Sequence, residues 1–310
     1  MKIAFVFPGQ GSQSVGMLDV WHGNAAVANT LARASTALDQ DLAALIAHGP
    51  EERLNLTTNT QPAMLAAAVA VYGAWRAAGG PEPSVVAGHS LGEYSALTVA
   101  GAFSLEDAVR VVRVRADAMQ TAVPVGTGTI AAILGLDDAA VRDVCARAAR
   151  GEVVEAANFN APSQVVIAGN ADAVLRACQL AKEAGAKRAL PLSVSAPFHS
   201  RLLEPAAAVL ARALARIPMV SPRIDLINNV DVASPSDPAA IRAALVRQAW
   251  HPVRWVETIH ALKARGVTHV IECGPGKVLA GLTRRIDKTL NSLNVADPAS
   301  LDAALAAVQE

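Results

Sequence analysis

The stretch Gly88-His89-Ser90-Leu91-Gly92 sets one serine between two glycines in the spacing G-x-S-x-G. This spacing is typical of a nucleophile elbow, a sharp strand-to-helix turn that exposes a serine hydroxyl. The glycines allow backbone to pass close to the serine, where a side chain would clash. The helix N-terminus also leaves backbone N–H groups that can stabilise an oxyanion. An ordinary glycine-flanked turn has the same pattern, so the chemistry depends on a base and a substrate-binding group elsewhere.

A nucleophilic serine needs a base, and the chain contains seven histidines. His199 lies in the loop Ser195-Ala196-Pro197-Phe198-His199-Ser200 after a predicted strand, and catalytic groups concentrate in such loops. His89 adjoins Ser90, but we expect its side chain to point away from that of the serine. Position therefore favours His199 as the base over the histidines in turns or inside predicted elements, which are His22, His48, His251, His260 and His269.

An arginine lies on the apolar side of a predicted helix. The capping signature Ser104-Leu105-Glu106-Asp107 opens this helix, which we expect to run to about Thr121. Arg115 shares the apolar stripe of the helix with Ala108, Val112 and Met119. A buried, unpaired charge is costly, so Arg115 must meet an anion. That anion is either a structural Asp or Glu, or a carboxylate or phosphate of the substrate, which a guanidinium binds with two parallel hydrogen bonds.

The elements that would position these residues alternate between strands and helices, which indicates an α/β fold with a mainly parallel sheet. We predict a first strand at Ile3–Phe7, an elbow strand at Val85–Ala87 and a helix at Leu91–Ala100. The polar loop Gly9-Gln10-Gly11-Ser12-Gln13 follows the first strand, at the sheet edge where ligands usually bind. Further helices are predicted at Ala25–Leu38, Pro62–Ala78, Leu202–Arg216, Ile241–Ala249, after Pro252, at Lys277–Lys288 and at the C-terminus, with strands at Ile224–Ile227 and Thr268–Glu272.

The middle of the chain follows a different pattern. Its predicted order is β-α-β-β-α-β, the order of a ferredoxin-like fold. We therefore expect a large α/β subdomain of residues 1–125 and 196–310, and an inserted ferredoxin-like subdomain of residues 126–195 that forms one wall of a cleft. The six elements of the insert are predicted at Thr129–Leu134, Asp137–Ala149, Val153–Ala157, Gln164–Ala168, Ala171–Ala184 and Arg188–Val194.

Composition excludes several classes of protein. The chain has 310 residues, of which 52% are hydrophobic and 17% charged, so it is long enough for a sizeable core or two domains. A formal net charge of zero gives no support for nucleic-acid binding. Three widely spaced cysteines argue against a zinc site or a disulfide framework. The apolar runs at Met1–Gly9 and Pro62–Trp75 are too short for a signal peptide or a membrane span. We expect a cytoplasmic protein.

Six stretches in this order resemble one enzyme family. Together they are similar to the malonyl-CoA:acyl carrier protein transacylases, the loading enzymes of type II fatty acid synthesis, whose fold also serves as the acyltransferase domain of polyketide synthases. The resemblance covers essentially the whole chain, including the insert. The stretches are Gly9–Gln13, Gly88–Tyr94, the sequence around Arg115, Asn158-Phe159-Asn160, Ala196–Ser200 and Gly274-Pro275-Gly276.

The resemblance implies a role for each matching residue. Ser90 is the nucleophile that carries the acyl group, and His199 is the base. Arg115 pairs with the free carboxylate of the malonyl group, and the backbone N–H groups of Gln10 and Leu91 form the oxyanion hole. The carbonyl of Gln248 orients the histidine, so no acid completes a triad. The family implies no metal and no cofactor, since malonyl-CoA is the substrate and the phosphopantetheine is carried by acyl carrier protein. We expect a monomer.

The resemblance also bears on substrate and partner. Phe198, next to His199, resembles malonyl-specific members, in which a bulky residue leaves little room for an α-methyl group. Carrier proteins of this pathway are acidic, so basic residues near the cleft are docking candidates, although each could equally be solvated surface. These residues are Lys187, Arg188, Lys277, Arg284, Arg285 and Lys288.

Two other functions and the choice of pathway stay open from the sequence. A serine esterase of the α/β-hydrolase class would share the elbow, but it would need an acid and often an H-G-G-G loop, which the chain lacks. Such an esterase would also give Arg115 no task. A non-enzymatic carrier-binding module would not need Ser90 and His199 together. Fatty acid synthesis and polyketide synthesis are both compatible with the chain.

Overall fold

The computed structural model describes residues 1–124, 126–192 and 196–309. In these residues the strands are, in chain order, β1 (Ile3–Phe7), β2 (Val85–Gly88), β3 (Gly128–Leu134), β4 (Val154–Ala161), β5 (Gln164–Asn170), β6 (Arg188–Leu192), β7 (Asp225–Ile227), β8 (His269–Cys273) and β9 (Asn291–Val295).

The helices surround two separate sheets. They are α1 (Ala25–Leu38), α2 (Leu42–His48), α3 (Glu51–Leu54), α4 (Thr57–Ala77), α5 (Gly92–Val99), α6 (Leu105–Ala122), α7 (Asp138–Ala149), α8 (Ala171–Glu183), α9 (Glu204–Arg216), α10 (Pro238–Gln248), α11 (Trp255–Ala264), α12 (Val278–Ile286) and α13 (Pro298–Gln309). Short 3₁₀ turns lie at Asp19–Trp21 and Arg201–Leu203.

The larger sheet is parallel and has the order β7-β2-β1-β8-β9. Its central strand β1 is buried on both faces, as its uninterrupted apolar sequence predicts. Phe5 and Phe7 pack into the hydrophobic core on one face, together with α4 and α6, while Ala4 and Val6 pack into the core on the other face beside Trp255. This two-sided burial confirms the predicted α/β class and puts the loops after β1 and β2 at one edge of the sheet.

The smaller sheet has the order β4-β5-β3-β6 and is antiparallel throughout. Helices α7 and α8 cover it, and their apolar stripes form a core of their own with Ile133, Val144, Ile167 and Val174. The element order β3-α7-β4-β5-α8-β6 is the predicted ferredoxin-like order. The subdomain boundaries themselves stay a prediction, because Val125, Ser193 and Ser195 lie outside the described residues, as does the predicted strand end at Val194.

The small sheet is joined to the larger subdomain by backbone pairing. Strand β4 has two irregularities in its register with β5, and there it pairs with the segment around Val253. The Phe159 N–H donates to the Val253 carbonyl, and the Val253 N–H donates to the Ala157 carbonyl, both over 2.9 Å. The predicted strand Val153–Ala157 therefore continues to Ala161, because a second partner takes over its backbone groups.

Other differences from the predicted elements have local causes. Helix α4 begins at Thr57 rather than Pro62, because buried polar side chains make hydrogen bonds in its first turn; Thr60 Oγ1 donates to Leu54 O over 2.6 Å. The polar residues between Thr57 and Gln61 suggest a loop in the sequence, whereas in the fold most of their side chains are buried. Helices α2 and α3 and the edge strand β9 were not predicted, since they are short and β9 is largely polar. Within the described residues, no helix is long and apolar enough to cross a membrane.

Candidate active site

The elbow between β2 and α5 puts Ser90 in the left-handed region, with φ at 53°. Backbone strain of this kind is rare outside glycine and concentrates at functional positions. A Cβ at Gly88 would lie 1.9 Å from the backbone of Gly92, and a Cβ at Gly92 would lie 2.0 Å from the Phe7 carbonyl oxygen. Both glycines are therefore required by close backbone contact, which is the physical reason for the G-x-S-x-G spacing.

Most backbone N–H groups of the elbow are already hydrogen-bonded within the protein. The Ser90 N–H donates to Asn229 Oδ1 over 2.7 Å, the Gly92 N–H to the His89 carbonyl and the Glu93 N–H to the Ser90 carbonyl. Among the described residues, the Leu91 N–H has no such acceptor. Leu91 directly precedes α5, so its amide adds to the positive end of the helix dipole and can receive an anionic oxygen.

His199 lies against Ser90 and is oriented by two carbonyl groups. Its Nε2 is 2.6 Å from Ser90 Oγ, and its Nδ1 is 3.0 Å from both the Gln248 and the His251 carbonyl oxygens. Because carbonyls only accept, Nδ1 must carry the proton, which leaves Nε2 free to accept from the serine hydroxyl. The Gln248 carbonyl was expected from the family resemblance; the His251 carbonyl was not predicted.

The imidazole of His199 is held in its neutral form. Its side chain is only 3% exposed, and burial, together with the charge of Arg115 and the neighbouring His89, lowers its pKa to about 3. The two carbonyl hydrogen bonds oppose this shift without reversing it. A neutral imidazole in contact with a hydroxyl can take a proton from it.

Arg115 from α6 is buried at the same point, 2% exposed. Its Nη2 donates to Ser90 Oγ over 3.2 Å and to Gln248 Oε1 over 3.1 Å, and its Nη1 donates to Gln61 Oε1 over 2.6 Å. The guanidinium also lies 5.5 Å from the centre of the Tyr94 ring. No ion pair to a carboxylate is found for it in the described part of the chain. Arg115 is therefore a buried cation held by neutral groups, and it can bind an incoming anion.

Sequence reasoning missed three side chains of the site. Gln61 lies in the polar first turns of α4, where nothing in the sequence distinguishes it from a surface loop. Asn229 ties Ser90 N to the Gly88 carbonyl, to which its Nδ2 donates over 2.6 Å. Its position just after β7, at the carboxyl edge of a parallel sheet, is a signal that could have found it. Glu93, 1% exposed, was part of the elbow motif but was given no role.

His89 faces away from Ser90, as expected. Its Nε2 is 2.8 Å from Asn160 Oδ1, and its ring lies against Trp255 with 5.4 Å between ring centres. This contact links the elbow to strand β4 of the small sheet.

A cavity of about 660 Å³ opens onto the serine. Its wall includes Ser90, His199 and Arg115, together with Gln10, Leu91, Gln61, Asn158 and Phe198. All six residues to which the family assigns roles are therefore brought together, five at the cavity wall and Gln248 behind it. A second cavity of about 680 Å³ is also lined by His199, but neither Ser90 nor Arg115 lines it. Among the residues described, no cluster of His, Cys, Asp or Glu is suited to a metal ion.

Comparison with known proteins agrees with this geometry. Residues 4–306 match the family model described as acyl transferase domain. The malonyl CoA-acyl carrier protein transacylase of Salmonella typhimurium is 54% identical over 98% of this chain and 99% of its own. The acyl-carrier-protein S-malonyltransferase structure from Burkholderia pseudomallei has a TM-score of 0.97 at 64% identity, over 99% of this chain and 100% of its own. The chain belongs to the acyl transferase family.

One further solved structure concerns a partner. It is described as a type II PKS acyl-carrier protein in complex with its malonyl-transacylase. The transacylase is 50% identical to this chain with a TM-score of 0.97, over 99% of this chain and 100% of its own.

Proposed function

We propose that this protein transfers the malonyl group from malonyl-CoA to the phosphopantetheine thiol of acyl carrier protein, supplying fatty acid synthesis. The observation that carries the proposal is the buried guanidinium of Arg115, 3.2 Å from Ser90 Oγ. A fixed cation beside the nucleophile suits an acyl group that ends in a carboxylate. The names of the relatives support the same donor and acceptor.

In the first half-reaction, Ser90 Oγ attacks the thioester carbonyl of malonyl-CoA, and its proton passes to His199 Nε2. The C–S bond then breaks, and the CoA thiolate takes the proton from His199. The product is a malonyl ester of Ser90, which is the covalent intermediate between the two half-reactions. Arg115 binds the malonyl carboxylate and sets the orientation of the carbonyl for attack.

In the second half-reaction, the carrier thiol attacks the malonyl ester. His199 Nε2 takes the thiol proton and returns a proton to Ser90 Oγ as the C–O bond breaks. Each half-reaction forms one oxyanion, for which the backbone N–H groups of Gln10 and Leu91 are the proposed donors. Their position at the wall of the serine cavity supports this role.

The orientation of His199 by carbonyls distinguishes this proposal from an esterase with a full triad. A carboxylate at Nδ1 would stabilise an imidazolium, whereas two carbonyls fix the tautomer and leave the base weak. The hydrogen-bonded pair of Ser90 and His199 also argues against a non-enzymatic carrier-binding module, because such a module would not need a nucleophile and a base in its cavity. A thiol acceptor, which is more nucleophilic than water, suits such a site.

The docking surface and the cellular setting complete the proposal. The six basic side chains that the sequence offered as docking candidates are all exposed; we propose that they attract the acidic carrier protein. A cytoplasmic setting is supported by three buried free cysteines, which fit a reducing compartment. The expectation of a monomer stays a prediction.

The test is transfer of radiolabelled malonyl from CoA to purified holo carrier protein, with intact-protein mass spectrometry of the enzyme after the donor alone. The protein should gain one malonyl adduct, and Ser90→Ala should gain none. Ser95→Ala is a matched control, because Ser95 is a buried serine on α5, the helix that follows the elbow, and should leave the adduct unchanged. An adduct that survives Ser90→Ala, or release of malonate to water at the rate of transfer, would contradict the proposal.

A further inference from the structure

Glu93 is a fully buried carboxyl beside the nucleophile that the reaction steps do not use. It lies in the first turn of α5, 1% exposed. Its Oε2 accepts hydrogen bonds from Asn229 N over 2.9 Å and from Gln248 Nε2 over 3.1 Å. A buried carboxyl must be compensated, and these two donors are also the residues that hold Ser90 and Arg115.

Glu93 acts on the site through two residues, and the first of these branches is the side chain of Gln248. Its Nε2 donates to the Ser90 carbonyl over 2.8 Å as well as to Glu93, so both amide hydrogens are used. Its Oε1 must then face Arg115 Nη2, which donates to it over 3.1 Å. If the amide turned over, its NH₂ group would face the guanidinium, donor against donor. Glu93 and the Ser90 carbonyl therefore together select the orientation of Gln248 that holds Arg115.

The second branch runs through Asn229. Its backbone N–H is fixed by Glu93, while its side chain joins Ser90 N to the Gly88 carbonyl. This branch holds the strained elbow itself. Because it acts on Ser90, it affects every acyl donor equally, whereas the Gln248 branch affects only donors that need Arg115.

We propose that Glu93 is a positioning residue for donor selection, whose Oε2, together with the Ser90 carbonyl, fixes the Gln248 amide and through it the guanidinium that binds the donor carboxylate. This inference rests on the proposed malonyl transfer. It predicts that the placement of this oxygen, rather than the charge of the carboxyl, supports preference for a malonyl over an acetyl donor.

The experiment compares acylation of Ser90 by malonyl-CoA and acetyl-CoA, with active sites counted from the malonyl burst. The readout is the ratio of the two kcat/KM values, which does not depend on how much enzyme is folded. Glu93→Ala should lower the ratio by about tenfold or more, the effect of losing one hydrogen bond to a charged group. Glu93→Gln keeps an acceptor in place and should hold the ratio within roughly threefold, about half of that free energy. Glu93→Asp keeps the charge but withdraws the oxygen by one methylene, so the ratio should fall.

Two controls separate this role from a structural one. Glu272→Ala removes another fully buried carboxyl, which accepts from Ala280 N and contacts neither Ser90 nor Arg115; it should cost stability and leave the ratio unchanged. In a Gln248→Ala background, Glu93→Ala should have no further effect on the ratio.

Three results would overturn the inference. The malonyl-to-acetyl ratio could stay unchanged in Glu93→Asp, or it could fall in Glu93→Gln as far as in Glu93→Ala. The effects of Glu93→Ala and Gln248→Ala on this ratio could also be additive. If Glu93→Ala does not fold, Glu93→Asp and Glu93→Gln decide the question. A wild-type enzyme without malonyl transfer would instead refute the proposed function, so the two failures are distinguishable.

Discussion

Arg115 donates a hydrogen bond to the nucleophile itself, with 3.2 Å between Nη2 and Ser90 Oγ. The same oxygen is 2.6 Å from His199 Nε2, so the serine hydroxyl lies between a cation and a base. A bound carboxylate would take over the Arg115 hydrogen bond and leave the serine lone pairs free to attack. A donor without a carboxylate would leave the cation on the nucleophile.

Arg115→Ala should therefore remove the preference for malonyl-CoA over acetyl-CoA. Loss of a charge-assisted hydrogen bond in a buried site corresponds to about 2–3 kcal/mol, so the ratio of kcat/KM values should fall by roughly 30-fold to 150-fold. Competition between the two donors, followed by mass spectrometry of the acylated enzyme, measures this ratio. Arg142→Ala is a control, because Arg142 stacks on Phe159 in the small subdomain. Selectivity that survives Arg115→Ala would make Arg115 a structural residue.

Phe198 lies at the wall of the cavity beside His199, where it limits the space next to the acyl group. Phe198→Ala should raise the kcat/KM of methylmalonyl-CoA relative to malonyl-CoA by about 5-fold to 150-fold, since one methyl group in a packed pocket corresponds to about 1–3 kcal/mol. Phe198→Leu keeps most of the bulk and should give a smaller rise. An unchanged ratio in both variants would mean that another wall of the cavity selects the donor.

The pH dependence of acylation should lack the usual histidine inflection. Because the pKa of His199 is lowered to about 3, the imidazole stays neutral as the pH falls through 6.5, and the base remains competent. Burial raises the pKa of Glu93 to about 7, so the measurement is best made in Glu93→Gln, where that group is absent. We expect the kcat/KM for acetyl-CoA to be nearly constant from pH 8 to pH 5. A loss of rate centred near pH 6.5 would show that His199 takes up a proton there.

The same shift has a consequence for stability. In the unfolded chain His199 binds a proton below about pH 6.5, whereas in the folded chain it does not until about pH 3. At this residue the unfolded state therefore binds more protons in this window, and the contribution of His199 to the free energy of unfolding should fall as the pH decreases from 6.5 towards 3. His199→Gln should weaken this slope in urea denaturation experiments at a series of pH values.

The elbow glycines offer a test of backbone packing. Gly92→Ala would bring a Cβ within 2.0 Å of the Phe7 carbonyl oxygen, so we expect a loss of roughly 3 kcal/mol or more in unfolding free energy and loss of acylation. Gly281→Ala is the control, because a Cβ in this part of α12 meets nothing within 4 Å. It should be neutral or stabilise the protein by up to about 1 kcal/mol. Equal denaturation midpoints for the two variants would contradict the role of close packing at Gly92.

Local sequence patterns predicted the elements that are buried through apolar side chains or begin at a standard helix cap. The uninterrupted apolar run of β1, the Ser104 cap of α6 and the element order of the small sheet follow directly from residue types and their spacing. Gln61 and the first turns of α4 could not be predicted in this way, because their polar side chains are buried by hydrogen bonds formed only in the folded chain. The His251 carbonyl at Nδ1 has no sequence signal either, since any residue supplies a backbone oxygen.

The elbow serine could be predicted from its spacing, whereas its partners could be placed only in part. The apolar stripe of α6 indicates that Arg115 is buried, but nothing in that stripe names Gln61 or Gln248 as its partners. Glu93 illustrates the same limit, because a carboxylate in the first turn of a helix is usually a solvated residue that favours the helix dipole. Here it is enclosed by the loop that carries Asn229.

The backbone bridge between β4 and Val253 connects the segment that holds His199 to the small sheet as well as to the larger subdomain. The His251 carbonyl that holds His199 lies two residues before that bridge, on a segment whose amides are shared with the small sheet. A displacement of the small sheet would therefore reach the imidazole through the His251 carbonyl, while the elbow is linked to the same sheet through the contact between His89 and Asn160. A substitution far from the cleft, in the packing of α7 or α8, would therefore change the position of the base as well as that of the elbow.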